Sequence, residues 1–321
     1  MSIAAVPVIS IASLLNNNFA KKEETIHGIK KACQNYGFFY ISNHGVSLSL
    51  MKEFTRLSHL FFQSPCKELQ DIKRNQGNSR GYFNDELTKN QLDWKECFDF
   101  GAQDGALDAT GRDGFNQWPS EKCLDFETTM RLYFSTMKTL SAVLCSAIAT
   151  GLDLPADHFK SFFEKHTSFL RLNYYRKCPT PDDTMAVHHH TDAGALTILL
   201  QDENVTSLQV FHNGGWMMIP PRAGTFVINI GDMMQVWTND VYKAPLHRVL
   251  ASSRERHSAP FFYNPSYAVN VQPLVESTEK TVLYRAVNWG NFRAARFAGD
   301  YANIGEETQI KHFRIVSKED E

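Results

Sequence analysis

The 321-residue chain lacks several features that would narrow its function at once. Its six cysteines, Cys33, Cys66, Cys97, Cys123, Cys145 and Cys178, are widely spread and form no CxxC pair. That argues against a structural zinc site and for reduced, mostly buried thiols. No run approaches the roughly 18 apolar residues of a membrane span. The opening "MSIAAVPVISIASLL" has no basic start and is interrupted by Pro7 and Ser10, and "SKEDE" is no recognised address. A cytoplasmic protein is therefore expected, with the nucleus also open. Charge of one sign is missing too: 33 Lys+Arg against 35 Asp+Glu leave a formal −2, which gives no reason to expect a nucleic-acid or membrane partner. No internal repeat or low-complexity linker is visible. No HExxH motif supplies the general base of a zinc hydrolase.

The composition, 43% hydrophobic and 21% charged, is that of a globular chain long enough for one large domain or two modest ones. "VPVISI" (6–11) alternates like a strand. Residues 21–37 carry Ile26, Ile29 and Cys33 at helical spacing, with Gly37 suited to end the helix. "FFYISNHG" (38–45) predicts a strand and 48–63 a second helix, whereas 74–116 is rich in Gly, Asn and Asp and is expected to be irregular. A long helix over 126–150 presents Met130, Phe134, Met137, Ser141 and Leu144 on one face and stops before Gly151 and Pro155. After Phe169 short β-branched and aromatic runs alternate with Gly, Pro and Asn turns, as in "FLRLNYY", "ALTILLQ", "GTFVINIGD" and "APFFYN", which is the texture of a sandwich or barrel. "TEKTVLYRAVNWGNFRAARF" then predicts a return to helix. The expected class is mainly β with flanking helices. The organisation drawn from it is an N-terminal region 1–125, a long helix and connector 126–165, a β core 166–272 and a helical C-terminal segment 273–321.

"AVHHHTDAGALTILLQD" begins that core. On a strand, His190 and Asp192 face the same way with α-carbons roughly 6.5 Å apart, a spacing that suits two ligands on one ion. His188 shares that face and His189 does not, so periodicity alone leaves His188 and His190 both open. His247, in "YKAPLHRVL", is a candidate third ligand. Two histidines and one carboxylate on one face of a metal leave open positions, which suits non-haem Fe(II) rather than structural zinc. Farther along, Arg256 and Ser258 are spaced to share a strand face. Together they could clamp a carboxylate, and an inward Arg just before the apolar "APFFYN" would need an anionic partner.

At this point the chain resembles the Fe(II)- and 2-oxoglutarate-dependent dioxygenases of the isopenicillin-N-synthase-like group. The resemblance runs in order through "VPVISI", "ACQNYGFFYISNHGVS", "GYF", "DWKECFDFG", "NQWP", "LRLNYYRKCP", "HTDAGALTILLQD", "FVINIGDMMQVWTND", "YKAPLHRVL" and "RHSAPFFYNPS". It implies a double-stranded β-helix, or jelly roll, open at one end to hold iron. It also implies His190, Asp192 and His247 as ligands, and Arg256 and Ser258 on the distal carboxylate of 2-oxoglutarate, with Asn173 and Tyr175 contacting the same cosubstrate. His188, His189, Arg176 and Lys177 depart from the family pattern.

The reaction so implied takes up O₂, converts 2-oxoglutarate to succinate and CO₂, and oxidises a C–H bond of a small molecule, with ascorbate as a candidate reductant. Tyr82, Phe83, Phe98, Arg171, His188 and Phe262 are the candidate substrate contacts, and an inward Arg171 would favour an anionic or hydrogen-bond-accepting substrate. A monomer is expected. Two other readings remain: an Fe(II) oxidase of the same fold that does not use 2-oxoglutarate, and a non-catalytic binding relative.

Overall fold

A computed structural model describes residues 6–16, 19–75, 77–102, 114–119, 124–274, 281–301 and 306–315; Cys123 lies outside them. In the first half, β1 (Val8–Ser10) and α1 (Ala12–Leu15) lead into α2 (Phe19–Asn35), β2 (Phe38–Ser42), α3 (Leu48–Phe62) and α4 (Cys66–Asp71). There follow β3 (Gly81–Phe83), β4 (Leu87–Thr88), β5 (Gln91–Leu92), β6 (Glu96–Gly101) and α5 (Leu124–Gly151). The β core comprises β7 (Phe169–Tyr175), β8 (Met185–His190), β9 (Leu196–Gln201), β10 (Leu208–His212), β11 (Gly215–Met218), β12 (Phe226–Ile230), α6 (Asp232–Trp237), β13 (His247–Leu250) and β14 (Arg256–Tyr263). Two short strands, β15 (Asn270–Val271) and β16 (Val287–Asn288), precede α7 (Trp289–Tyr301).

Two sheets face each other. The larger has eight strands in the order β1-β2-β12-β9-β14-β7-β6-β3, and the smaller four, β11-β10-β13-β8. This is the expected jelly roll. The N-terminal region does more than pack on it, since β1, β2, β3 and β6 extend the larger sheet on both sides. Residues 74–116 were expected to be irregular, yet all six residues of β6 are buried and pair with β7. A strand buried on both faces shows no alternation, so its sequence gives little strand signal. The C-terminal helix starts only at Trp289; Tyr284 instead bridges to Arg314, and 275–280 lie outside the described residues.

Several local devices hold this frame. Gly37 ends the first long helix with φ +64°, and a Cβ there would lie 2.5 Å from the Lys243 carbonyl oxygen. By length and composition α5 could cross a bilayer. Here Met130, Met137, Ser141 and Leu144 are fully buried, and the helix packs on α2, α3 and β14.

On the outer face of β14, His257 stacks on His59 of α3 at 3.8 Å and on Tyr174 at 4.8 Å. Burial first, then His59 and Arg256, hold its pKa at about 3 against the opposing charge of Asp202. The folded protein therefore binds fewer protons at this group than the unfolded chain does. Its contribution to stability is complete above the ordinary value near 6.5 and is lost as pH falls from there toward 3. Thermal unfolding should accordingly occur at a lower temperature at pH 5 than at pH 7, and His257→Phe, which keeps the stacking, should shrink that difference. Equal pH slopes for the two proteins would remove His257 as the cause.

Candidate active site

The antiparallel pair β8–β13 brings His190 opposite His247, with ring centroids 4.3 Å apart. The His190 Nδ1–H donates to the His188 carbonyl at 2.8 Å and the His247 Nδ1–H to the Pro245 carbonyl at 3.0 Å. Both Nε2 lone pairs are thereby left for a metal. Asp192, just past the end of β8, places Oδ1 3.6 Å from Nε2 of His190 and 3.5 Å from Nε2 of His247. One donor atom from each of the three residues falls within 4.8 Å of the others, the one such cluster among the described residues. An ion with bonds of roughly 2.0–2.2 Å can bridge those separations. The donor set of two neutral imidazoles and one carboxylate fits Fe(II).

The carboxylate is aimed by residues that the sequence reading did not identify. Oδ2 of Asp192 accepts from Thr197 Oγ1 at 2.5 Å and from Asn229 Nδ2 at 2.8 Å, which leaves Oδ1 for the ion. Both donors are buried polar residues flanked by apolar ones, in "LTILLQ" and "FVINI", and that mismatch was their visible signal. Burial alone would raise the Asp192 pKa. The neighbouring His247, and then His190, outweigh it and hold the carboxyl well below the usual range. Burial, then His247, keeps His190 neutral with a pKa of about 3. Burial would also lower His247, but the Asp192 charge overcomes this and raises it. A divalent cation therefore competes with a proton there, and metal uptake should weaken as pH falls. Asn229→Ala should reduce Fe(II) affinity by roughly 10- to 100-fold, measured by anaerobic titration, because one donor to the carboxylate is lost. An unchanged affinity would show that Thr197 suffices.

One face of two adjacent strands builds the rest of the cavity. On β7, Phe169, Arg171, Asn173 and Tyr175 point inward at period 2, as do Arg256, Ser258, Pro260 and Phe262 on β14. The register sets Arg256 against Tyr175, Ser258 against Asn173 and Phe262 against Phe169. At the inner end Arg256 is 2% exposed, and its Nη2 donates to Gln201 Oε1 at 3.1 Å. Its Nε and Nη1 are buried without a partner. Ser258 Oγ lies 3.3 Å from both Tyr175 OH and Asn173 Nδ2. A guanidinium with orphan donors beside two hydroxyls and an amide fits a carboxylate, as the clamp for 2-oxoglutarate requires.

Arg171 is inward but already neutralised. Its Nε and Nη2 each meet a carboxylate oxygen of Asp99 at 2.8 Å and its Nη1 meets Glu86 at 2.8 Å. Lys95 beside it pairs with Glu86 at 2.6 Å and Asp93 at 3.1 Å. The charge that suggested an anionic substrate is thus paired within the protein.

The structure places other candidates away from the cavity. Tyr82 donates to Glu96 at 2.5 Å, and Phe98 packs on Phe61 at 4.6 Å in the core. Phe83 lies buried 3.6 Å beneath the Arg74 guanidinium and 5.1 Å from that of Arg171. His188 differs from the parity expectation. Between Val187↔Val249 and His190↔His247 the β8 strand carries one residue more than β13, a bulge that turns Val187 rather than His188 to the cavity. The His188 N–H instead donates to Asp93 Oδ1 at 3.3 Å, and His189 is exposed. Phe262 lines the cavity as expected.

Comparisons with known proteins agree with this geometry. The profile of the 2OG-Fe(II) oxygenase superfamily matches residues 166–265, and that of the non-haem dioxygenase in morphine synthesis N-terminal region matches 6–121. Gibberellin 20 oxidase 4 of Arabidopsis thaliana is 33% identical over 297 residues, covering 90% of this chain and 78% of its own. Jasmonate-induced oxygenase 3 of the same plant is 32% identical over 298 residues, covering 90% and 80%. The crystal structure of a full-length Neurospora crassa protein in complex with alpha-KG and thymine superposes with a TM-score of 0.83 at 26% identity, covering 92% of this chain and 97% of that one. JOX2 in complex with 2OG, Fe and JA gives 0.78 at 31% identity, covering 90% and 84%. The chain belongs to the Fe(II)- and 2-oxoglutarate-dependent oxygenases of the isopenicillin-N-synthase-like group.

Proposed function

We propose that this oxygenase hydroxylates a C–H bond of a small organic molecule, with His190, Asp192 and His247 holding the iron and Arg256 and Ser258 holding the far carboxylate of 2-oxoglutarate. Bound Fe(II) supplies activation of O₂, one oxygen atom of which enters succinate and the other the product. The protein supplies the aim. Thr197 and Asn229 fix the carboxylate ligand, the His188 and Pro245 carbonyls fix the imidazole tautomers, and Asn173 and Tyr175 orient Ser258. The observation that carries the reading is the buried Arg256, with two unpartnered nitrogens, in the same cavity as the triad. Structurally similar proteins hold thymine, 5-formyluracil or JA, which supports a small molecule as substrate. The protein is expected to act as a monomer.

The test is stoichiometry. With Fe(II), 2-oxoglutarate, O₂ and a turned-over substrate, one succinate should form per oxidised product. Substrate-dependent O₂ uptake without succinate would instead identify an oxidase that does not use 2-oxoglutarate.

A further inference from the structure

The cavity continues past the metal ligands into an open cleft of about 120 Å³ between the mouth of the jelly roll and α7. Four cationic side chains line it: Lys95, Arg171, Arg293 and Arg296. Three are neutralised by carboxylates. Glu86 and Asp93 hold Lys95, Asp99 and Glu86 hold Arg171, and Glu307 lies 3.1 Å from Arg296, which also donates to the Thr191 carbonyl at 3.1 Å. Arg293 is the exception. Half-buried on α7, it has no carboxylate or hydrogen-bond acceptor among the described residues. Its guanidinium is held by aromatic rings alone, 4.5 Å from Phe297 and 5.5 Å from Phe169.

That environment has a chemical meaning. Ring contacts position a guanidinium while leaving its N–H edge free, and an unpaired cation in a partly buried wall attracts an anion. Phe169 is itself stacked on Phe262 at 4.6 Å, and Phe262 reaches the inner cavity that the triad shares. An apolar track therefore runs from Arg293 toward the metal ligands.

We propose that the substrate is a monocarboxylic acid with a compact apolar or aromatic body, its carboxylate on the Arg293 guanidinium and its body along Phe169 and Phe262. The proposal rests on the oxygenase reading above and adds the substrate class. Arg293, rather than the already paired Arg171, is the specificity-determining cation.

The experiment is anaerobic calorimetry on the protein loaded with Fe(II) and 2-oxoglutarate. The probes are a panel of aryl- and cycloalkylalkanoic acids, phenylacetate, 3-phenylpropanoate and cyclohexylacetate among them, each beside its primary carboxamide. At least one acid should bind about tenfold or more tighter than its own amide, the scale of one charge-assisted contact. Arg293→Gln should erase that preference by weakening the acid and not the amide. Arg293→Lys should retain part of it, which separates charge from shape. Amides binding as well as acids, no acid binding at all, or an acid preference that survives in Arg293→Gln would each overturn the assignment. The metal-to-ligand charge-transfer band of the same samples reports 2-oxoglutarate on iron independently. Its absence from the wild type would count against the oxygenase reading, while the calorimetry still decides the anion site.

Discussion

Asp192→Asn is expected to abolish Fe(II) binding although it changes one atom. Asp192 Oδ2 sits between two donors, Thr197 Oγ1 and Asn229 Nδ2. An asparagine carbonyl must take that place, because two buried donors without an acceptor are costly. The amide nitrogen then faces the metal position, where it offers hydrogens rather than a lone pair. Those hydrogens can satisfy the Nε2 atoms of His190 and His247, which closes the site without unfolding the protein. Iron affinity should fall by more than ~100-fold, beyond the effect of losing an outer partner. Turnover should fall by ~1,000-fold or more, about 4 kcal/mol of activation free energy. Anaerobic iron titration and succinate formation check both values. Normal iron binding by the Asp192→Asn protein would mean that the ligand set is wrong.

Arg256→Ala separates the cosubstrate from the metal. The substitution removes a buried cation with two unpartnered nitrogens, so the protein on its own loses little stability. Bound 2-oxoglutarate, by contrast, loses its charged partner and keeps a desolvated carboxylate. The expected cost is about 2–4 kcal/mol, roughly 30- to 1,000-fold in the 2-oxoglutarate Kd. Iron affinity should stay at the wild-type value, because Arg256 touches none of the three ligands. Parallel loss of both affinities would contradict the division of roles between β8–β13 and β14.

Much of this site was legible because strands β7 and β14 are regular over their inner faces. Period 2 put Arg256 with Ser258 on one side and the family resemblance added Asn173 and Tyr175, and the structure brings all four to one cavity. The same rule failed at His188, since a bulge in β8 between Val187 and His190 adds one residue and reverses facing there, and a second register shift follows between Val187 and Met185. Nothing local in "AVHHHTD" announces that bulge; it arises from pairing with β13. The buried Glu86, Asp93, Lys95 and Asp99 were hidden differently. In "NDELTKNQLDWKECFDFG" they read as a polar loop, and only tertiary pairing with Arg171 and with one another explains their burial. Arg293 sat in a segment read only as a helix, and its lack of a carboxylate partner among the described residues is visible only once the neighbouring carboxylates have been assigned.

The most direct measurement is anaerobic addition of 2-oxoglutarate to the Fe(II)-loaded protein, followed by absorption. A saturable metal-to-ligand charge-transfer band is expected at one equivalent each of iron and 2-oxoglutarate, lost in Asp192→Asn and shifted to much higher 2-oxoglutarate in Arg256→Ala. Iron bound at full occupancy with no such band at any 2-oxoglutarate concentration would contradict the assigned roles.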